Sequence, residues 1–275
     1  MDIMIIFKFY MEKDNIYTIT TNVEYLNLDA HCHEAHHQLI YMIKGTLHIK
    51  VDDTQYFLPE HFIGIIPANK IHELQSRNEM VKMFLVYFPK TITLEGFLQL
   101  SANDFVVNNL RYLSKLPDEI SKGVNKQHFN FAYAFLDLLK DMKGLQAFPL
   151  KGFLAPKNER LKNVLCYIEQ NYTEKITLDS VAAKFGFSVR NLTRLFKKEN
   201  ISFNNHVNYL RIIHAIEKFT DSNESIEKIA FEVGYGTASN FSRTFKKHTG
   251  FTPREFIKVN TTNSFTKQGE LVTMS

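Results

Sequence analysis

The sequence predicts an α+β protein, with an N-terminal β-barrel or jelly roll, a helical middle region and an all-α C-terminal unit. Three patterns carry that prediction. Residues 16–88 have the period of strands, residues 105–139 have helical spacing, and residues 177–258 repeat one helix-turn-helix sentence twice. At 275 residues the chain is long enough for a proper core in each of two domains. The expected boundaries are 1–95, 96–157 and 158–260, with a polar tail at 261–275 that lacks periodicity.

In the N-terminal part, Leu39, Ile40, Tyr41, Met42 and Ile43 form a buried apolar run, and Gly45 permits a bend. Thr46 to Val51 alternates, Asp52 and Asp53 turn the chain, and Tyr56, Phe57 and Leu58 answer as the return strand. Residues 62–66 and 81–88 continue the series, and many short strands with polar turns fit a small antiparallel barrel or jelly roll. Beyond residue 95 the pattern changes. Phe105, Val106, Leu110, Leu113 and Leu116 share a helical face, as do Phe129, Ala132, Phe135, Leu136 and Leu139. Two uses of these helices stand equal: packing on the sheets, or forming a dimer interface. Residues 143–156, with Gly144, Pro149, Gly152 and Pro156, read as a linker.

The C-terminal repeat is a helix-turn-helix in each copy. Val181, Ala182 and Phe185 face Leu192, Leu195 and Phe196 in the first; Ile229, Ala230 and Val233 face Phe241 and Phe245 in the second. Gly186 and Gly234 supply the turn, and Ser188 and Thr237 supply the capping hydroxyl of the second helix. The outward face of that helix carries Arg190, Thr193, Arg194 and Lys197 in the first copy and Ser239, Asn240, Arg243 and Lys246 in the second. Arginine beside small hydrogen-bonding side chains suits contact with base edges and phosphates. Residues 203–220 between the copies read as one helix of roughly 25 Å, long enough to hold two recognition helices about one DNA turn apart.

Charge agrees with this division. Residues 158–260 hold 16 Lys+Arg against 11 Asp+Glu, so the excess of the whole chain, +4, lies in this part. The two cysteines, Cys32 and Cys166, imply no disulfide framework and fit a reducing cytoplasm. No apolar stretch approaches the ~20 residues needed to span a membrane, and residues 4–7 are too short for a signal peptide.

The motifs Leu-x-x-Val-Ala, Ser-x-Arg-x-Leu-x-Arg-x-Phe-Lys-Lys, Ile-Ala-Phe-x-Val-Gly-Tyr and Phe-Ser-Arg-Thr-Phe-Lys-Lys-x-x-Gly-Phe-Thr-Pro resemble the AraC/XylS family of transcription regulators. The resemblance covers about 158–258. It implies binding of double-stranded DNA, with Arg190, Thr193, Arg194, Ser239, Asn240 and Arg243 facing bases. It also implies a small-molecule effector, a homodimer, and activation through RNA polymerase. Lys197 and Lys246, each followed by a second lysine at a helix end, suit phosphates.

Seven of the eleven histidines lie between 31 and 72. The spacing of His31, His33, Gln38 and Gly45, followed by Gly64, Pro67 and His72, is similar to the two cupin motifs. That likeness implies a cupin-like β-barrel; in cupins two histidines, a carboxylate and a later histidine converge inside the barrel on a metal, the positions of His31, His33, Gln38 and His72 here. His31 and His33 alternate along a strand and so point one way, and three imidazoles suit zinc, iron, copper or nickel. Gln38 stands where cupins carry glutamate, and Asn69 stands where they carry a turn glycine. Three readings stay open: a divalent transition metal, an effector pocket without metal, or histidines satisfied at the surface, with His36 and His37 in the last group. His48 and His61 read as structural. A cupin enzyme would use His31, His33, Gln38 and His72 plus turnover, and the tandem repeat argues against it; an architectural protein would need neither pocket nor base-reading residues.

Overall fold

The computed structural model describes residues 11–24, 26–76, 80–144, 153–154, 158–199, 201–222 and 224–262. The tail beyond 262 and most of the expected linker lie outside these. Among the described residues the strands are β1 (Ile16–Glu24), β2 (Asn27–His31), β3 (His36–Lys44), β4 (Leu47–Val51), β5 (Thr54–Leu58), β6 (Phe62–Ile66), β7 (His72–Gln75), β8 (Met80–Pro89), β9 (Leu98–Ser101), β10 (Glu119–Ile120) and β11 (Phe153–Leu154). They form two antiparallel sheets, a large one ordered β10-β1-β8-β3-β6-β9 and a small one ordered β11-β5-β4-β7-β2. The barrel expectation is refined here: the sheets do not close on one another, and the arrangement is a jelly-roll-like sandwich.

Strand β3 explains the design. Its residues from His36 to Ile43 are all buried because both faces of the large sheet are covered. Ile40 and Met42 point into the sandwich with Leu47, Ile49, Phe57, Leu74 and Leu85. Leu39, Tyr41 and Ile43 point the other way, into a second core with Phe84, Val86 and Phe88. That outer face is roofed by α1 (Asp104–Leu113) and α2 (Lys126–Leu138). Val106, Val107, Leu110 and Leu113 of α1 and Ala132, Phe135 and Leu136 of α2 are buried in it. Packing on the sheet therefore takes up most of the predicted helical faces, with Phe105 left outside it. Asn103 and Asn125 cap the two helices with their side-chain oxygens. Strands β9 and β10, two to four residues long, lie before the first helical stretch and between the two, and extend the large sheet at both edges.

The C-terminal part holds α3 (Glu159–Gln170), α4 (Leu178–Lys184), α5 (Val189–Lys198), α6 (Phe203–Asp221), α7 (Ile226–Glu232), α8 (Ala238–Thr249) and α9 (Pro253–Thr262). Its central member, α6, is 19 residues long, roughly 28 Å. The N-terminal half of α6 gives Phe203, Val207 and Leu210 to a core with Val181, Ala182, Leu192 and Phe196 of the first helix-turn-helix. Its C-terminal half gives Ile212, Ala215 and Ile216 to a core with Ile229, Ala230, Phe241 and Phe245 of the second. The two units are pinned together where they meet. Arg211 donates from Nε to the Tyr172 carbonyl at 2.7 Å and from Nη2 to the Glu174 carbonyl at 2.9 Å, and its guanidinium lies 5.4 Å from the centre of the Tyr235 ring. Gly234, at φ +92°, fits against the Thr173 carbonyl so closely that a Cβ would lie 2.6 Å from that oxygen.

Candidate nucleic-acid interface and ligand site

Each recognition helix begins on the predicted cap. Ser188 accepts from the Asn191 amide and Thr237 from the Asn240 amide, both at 3.2 Å. Gly186 takes φ +67° in the turn, as expected. With Leu192 and Phe196, or Phe241 and Phe245, held in the cores, the helical period turns the opposite face outward. Arg190, Arg194 and Lys197 on α5 and Ser239, Asn240, Arg243 and Lys246 on α8 are exposed there, while Thr193 is half-buried. The Thr193 hydroxyl donates to the Val189 carbonyl at 2.8 Å, so it offers a partner its acceptor lone pairs and methyl group.

Several surface lysines elsewhere are paired with acids. Lys50, Lys70, Lys162, Lys218 and Lys228 each sit within ion-pair distance of a carboxylate. Among the described residues, Arg190, Arg194, Lys197, Lys198 and Arg243 have no ion-pair partner. Cations clustered on one face without neutralising acids attract a polyanion.

The second candidate site lies at the end of the sandwich where β2 and β7 pair, with His31 opposite His72. Ring centroids are 4.2 Å apart for His31 and His72, and 5.3 Å from His33 to either. One ligand nitrogen from each of the three lies within 4.8 Å of the others. His31 Nδ1 bonds the Asp29 carbonyl at 2.7 Å and His72 Nδ1 bonds the Lys70 carbonyl at 2.9 Å. Donating Nδ1–H in this way leaves the Nε2 lone pair of each ring for a ligand. His72 Nε2 is buried with no hydrogen-bond partner among the described residues, and so is Gln38 Oε1. Gln38 packs against His33 and donates from Nε2 to the Tyr87 hydroxyl at 3.3 Å. Burial, reinforced by the neighbouring His72 and His31, pushes His33 down to about 3, and burial pushes His72 down to about 4. Both imidazoles are neutral at pH 7, the form that binds metal.

The turn that presents His72 is held from two sides. The Asn69 amide donates to the His33 carbonyl at 2.9 Å, and the Ala68 amide donates to His37 Nδ1 at 2.9 Å. Asn69 adopts φ +62°, so asparagine does the work of the missing glycine. The surface reading of His36 and His37 is corrected by these contacts. Both are under 5% exposed in β3; His36 bonds the Asn15 carbonyl and His37 the Ile92 carbonyl. His37 lies on the opposite face of β3 from Gln38, whereas His36 shares Gln38's face and its charge disfavours protonation of His33.

A third feature, the joint between the halves, has no signature in the sequence. His48 of β4 lies 3.1 Å from Glu217 of α6, and His214 lies 2.7 Å from the other carboxylate oxygen, its ring stacked on Tyr172 at 4.1 Å. Phe256 of α9 stacks against Phe62. A cleft of about 410 Å³ remains between β4, β5 and β7 on one side and α3 and α6 on the other. Residues 169 positions apart form the joint, which no local pattern encodes.

Comparison with known proteins agrees with both halves of this geometry. A model described as an AraC-like ligand binding domain matches residues 15–130, and one described as a helix-turn-helix domain matches residues 181–258. The chain belongs to the AraC family of transcription regulators. It is 26% identical over 248 residues to the HTH-type transcriptional regulator YdiP of Escherichia coli, covering 82% of this chain and 80% of that one. Identity to the HTH-type transcriptional activator RhaS of Citrobacter koseri is 31% over 102 residues, spanning 37% of each protein. The structure of ToxT from Vibrio cholerae with an unsaturated fatty acid bound is 13% identical, with a TM-score of 0.36, over 89% of this chain and 95% of that one. As an AraC-family member the protein is a DNA-binding transcription regulator with an N-terminal ligand-binding domain. None of its described helices is long and apolar enough to cross a membrane.

Proposed function

We propose that this AraC-family protein is a cytoplasmic, effector-responsive activator that reads DNA with both recognition helices and answers to a divalent transition metal. The observation that carries the reading is the pair of exposed faces, Arg190, Arg194 and Lys197 on α5 and Ser239, Asn240, Arg243 and Lys246 on α8, whose helices pack on the two halves of α6. In this reading Arg190, Thr193, Arg194, Ser239, Asn240 and Arg243 contact base edges in successive major grooves, and Lys197 and Lys246 contact phosphates. The metal is held by His31, His33 and His72, with the Gln38 amide oxygen beside them. Three neutral nitrogens and no carboxylate fit a borderline ion such as zinc, nickel, copper or iron(II). Bound there, the ion ties β2 to β7 and so orders the small sheet against which α6 packs. Its output is transcription, through RNA polymerase, and not turnover.

The outer faces of α1 and α2 support a homodimer. Phe105, Tyr112, Phe131 and Leu138 remain between 37% and 49% exposed after the inner faces are packed, and a second copy would cover such a stripe. The test is enrichment of genomic fragments on the full-length protein, with and without metal. Discrete fragments sharing two blocks about one turn apart, recovered better with one metal ion than after chelation, are expected. Uniform recovery in both conditions refutes the proposal. Sedimentation of Phe131→Glu against the parent tests the dimer.

A further inference from the structure

We propose that Arg160, with Lys197 and Lys198, forms a notch that grips a DNA backbone phosphate beside the first recognition helix. The inference rests on α5 being a recognition helix and adds a contact outside it. A cavity of about 730 Å³ opens along the flank of α5, walled by Arg160, Phe187, Asn191, Arg194, Lys197 and Lys198. Four of the nine lining residues are cations, and no carboxylate lines the space. The interdomain cleft is different in kind, since its lining mixes Lys50 and Lys162 with Glu73 and Glu169. Of these two spaces, the flank of α5 is the one lined for an anion.

Arg160 is the member that shapes it. It sits in the first turn of α3, two residues beyond the Asn158 cap, and is exposed. Its guanidinium carbon lies 4.1 Å from the centre of the Phe187 ring. Phe187 belongs to the turn of the first helix-turn-helix and is fixed there by its amide, which donates to the Ala182 carbonyl at 2.9 Å. Stacking occupies the face of the guanidinium and leaves its edge of N–H donors free, the geometry of a bidentate phosphate contact. The nearest acid in sequence, Glu159, is engaged by Lys162 at 2.7 Å, and Arg160 has no ion-pair partner among the described residues. Arg194 and Lys197 join this wall to the base-facing surface of α5, so a strand whose bases meet α5 runs its backbone along the notch. Residue 160 lies outside the helix-turn-helix match at 181–258, so that motif assigns it nothing.

The experiment measures affinity of the full-length protein for its enriched genomic site from about 50 to about 200 mM salt. One lost phosphate contact flattens the log–log slope by about 0.9, which makes the affinity loss across that range about 3.5-fold smaller in Arg160→Ala than in the parent. Base preference is expected to stay that of the parent, whereas Arg194→Ala changes it. A scan of single methylphosphonates then locates the contact: one neutralised phosphate outside both base blocks weakens the parent and leaves Arg160→Ala unaffected. Arg160→Lys restores the slope through charge alone, a rescue that a purely structural arginine would not allow, and this variant decides the matter should the alanine variant unfold. A parent-like slope and a parent-like methylphosphonate map in Arg160→Ala overturn the notch while leaving α5 as a recognition helix. Absence of any enriched site overturns both.

Discussion

Replacing Glu217 by glutamine tests the contact that joins the ligand-binding and DNA-binding halves. The Glu217 side chain is 11% exposed and meets His48 from β4 at 3.1 Å and His214 from its own helix at 2.7 Å. Burial alone would raise its pKa, but the hydrogen bonds and charge of His214 and His48 outweigh it and bring the carboxyl from 4.5 down to about 2. At 1.36 kcal/mol per unit, that depression is worth on the order of 3 kcal/mol to the folded state. Two charge-assisted hydrogen bonds at about 1.5–3 kcal/mol each, less the cost of burying the carboxylate, give a similar size. The sign follows from the direction. A depressed carboxyl contributes its full stability above its unfolded value near 4.5 and loses it as pH falls through about 2. Glu217→Gln is therefore expected to lower unfolding stability by about 3 kcal/mol at pH 7, with the difference shrinking between pH 4.5 and 2. Urea unfolding followed by far-UV ellipticity measures it, since the chain has no tryptophan to report. A difference below about 0.5 kcal/mol at pH 7, the level of an exposed ion pair, refutes the argument. So does a difference that persists unchanged at pH 2. A double-mutant cycle with His48→Ala isolates the half of the contact that crosses between domains.

Arg243→Ala is expected to weaken specific DNA binding by about 1–3 kcal/mol and relax preference at one base pair, as read by selection from randomised sites. Lys246→Ala, by contrast, is expected to weaken all sequences alike and to flatten the salt slope by about 0.9. His72→Ala removes one of three nitrogens from the cluster, and calorimetric titration with zinc is expected to show stoichiometric binding in the parent and none at micromolar metal in the variant. Gly234→Ala places a Cβ 2.6 Å from a carbonyl at a positive φ and is expected to cost more than about 2 kcal/mol. Gly186→Ala, where φ is +67° but the space is open, is expected to cost about 1 kcal/mol, and the contrast between the two melting temperatures is the check.

The helix-turn-helix pair was legible because everything that defines it is local. Caps at Ser188 and Thr237, turns at Gly186 and Gly234, and apolar residues three and four apart lie within about twenty residues of one another. The histidine spacing was legible for the same reason, and even the departure at Asn69 was readable, because asparagine tolerates the left-handed turn it occupies. Less of the N-terminal part could be read. Strands β9 and β10 are too short to show a period, and their existence depends on open edges of the large sheet. The burial of His36 and His37 depends on Asn15 and Ile92, which lie 21 and 55 residues away.

What the sequence determined by itself is thus the helical repeat, with its outward cations, and the sandwich strands with their histidines, since backbone period and capping chemistry act over a few residues. Tertiary structure alone decided which partners those residues meet. It closed the metal-sized gap between His31, His33 and His72 by pairing β2 with β7, set Arg160 on Phe187, and buried Glu217 between two histidines of different domains. Each of these joins groups far apart in the chain, and their encounter is fixed by how whole sheets and helices bury their apolar faces, which no short window of residues contains.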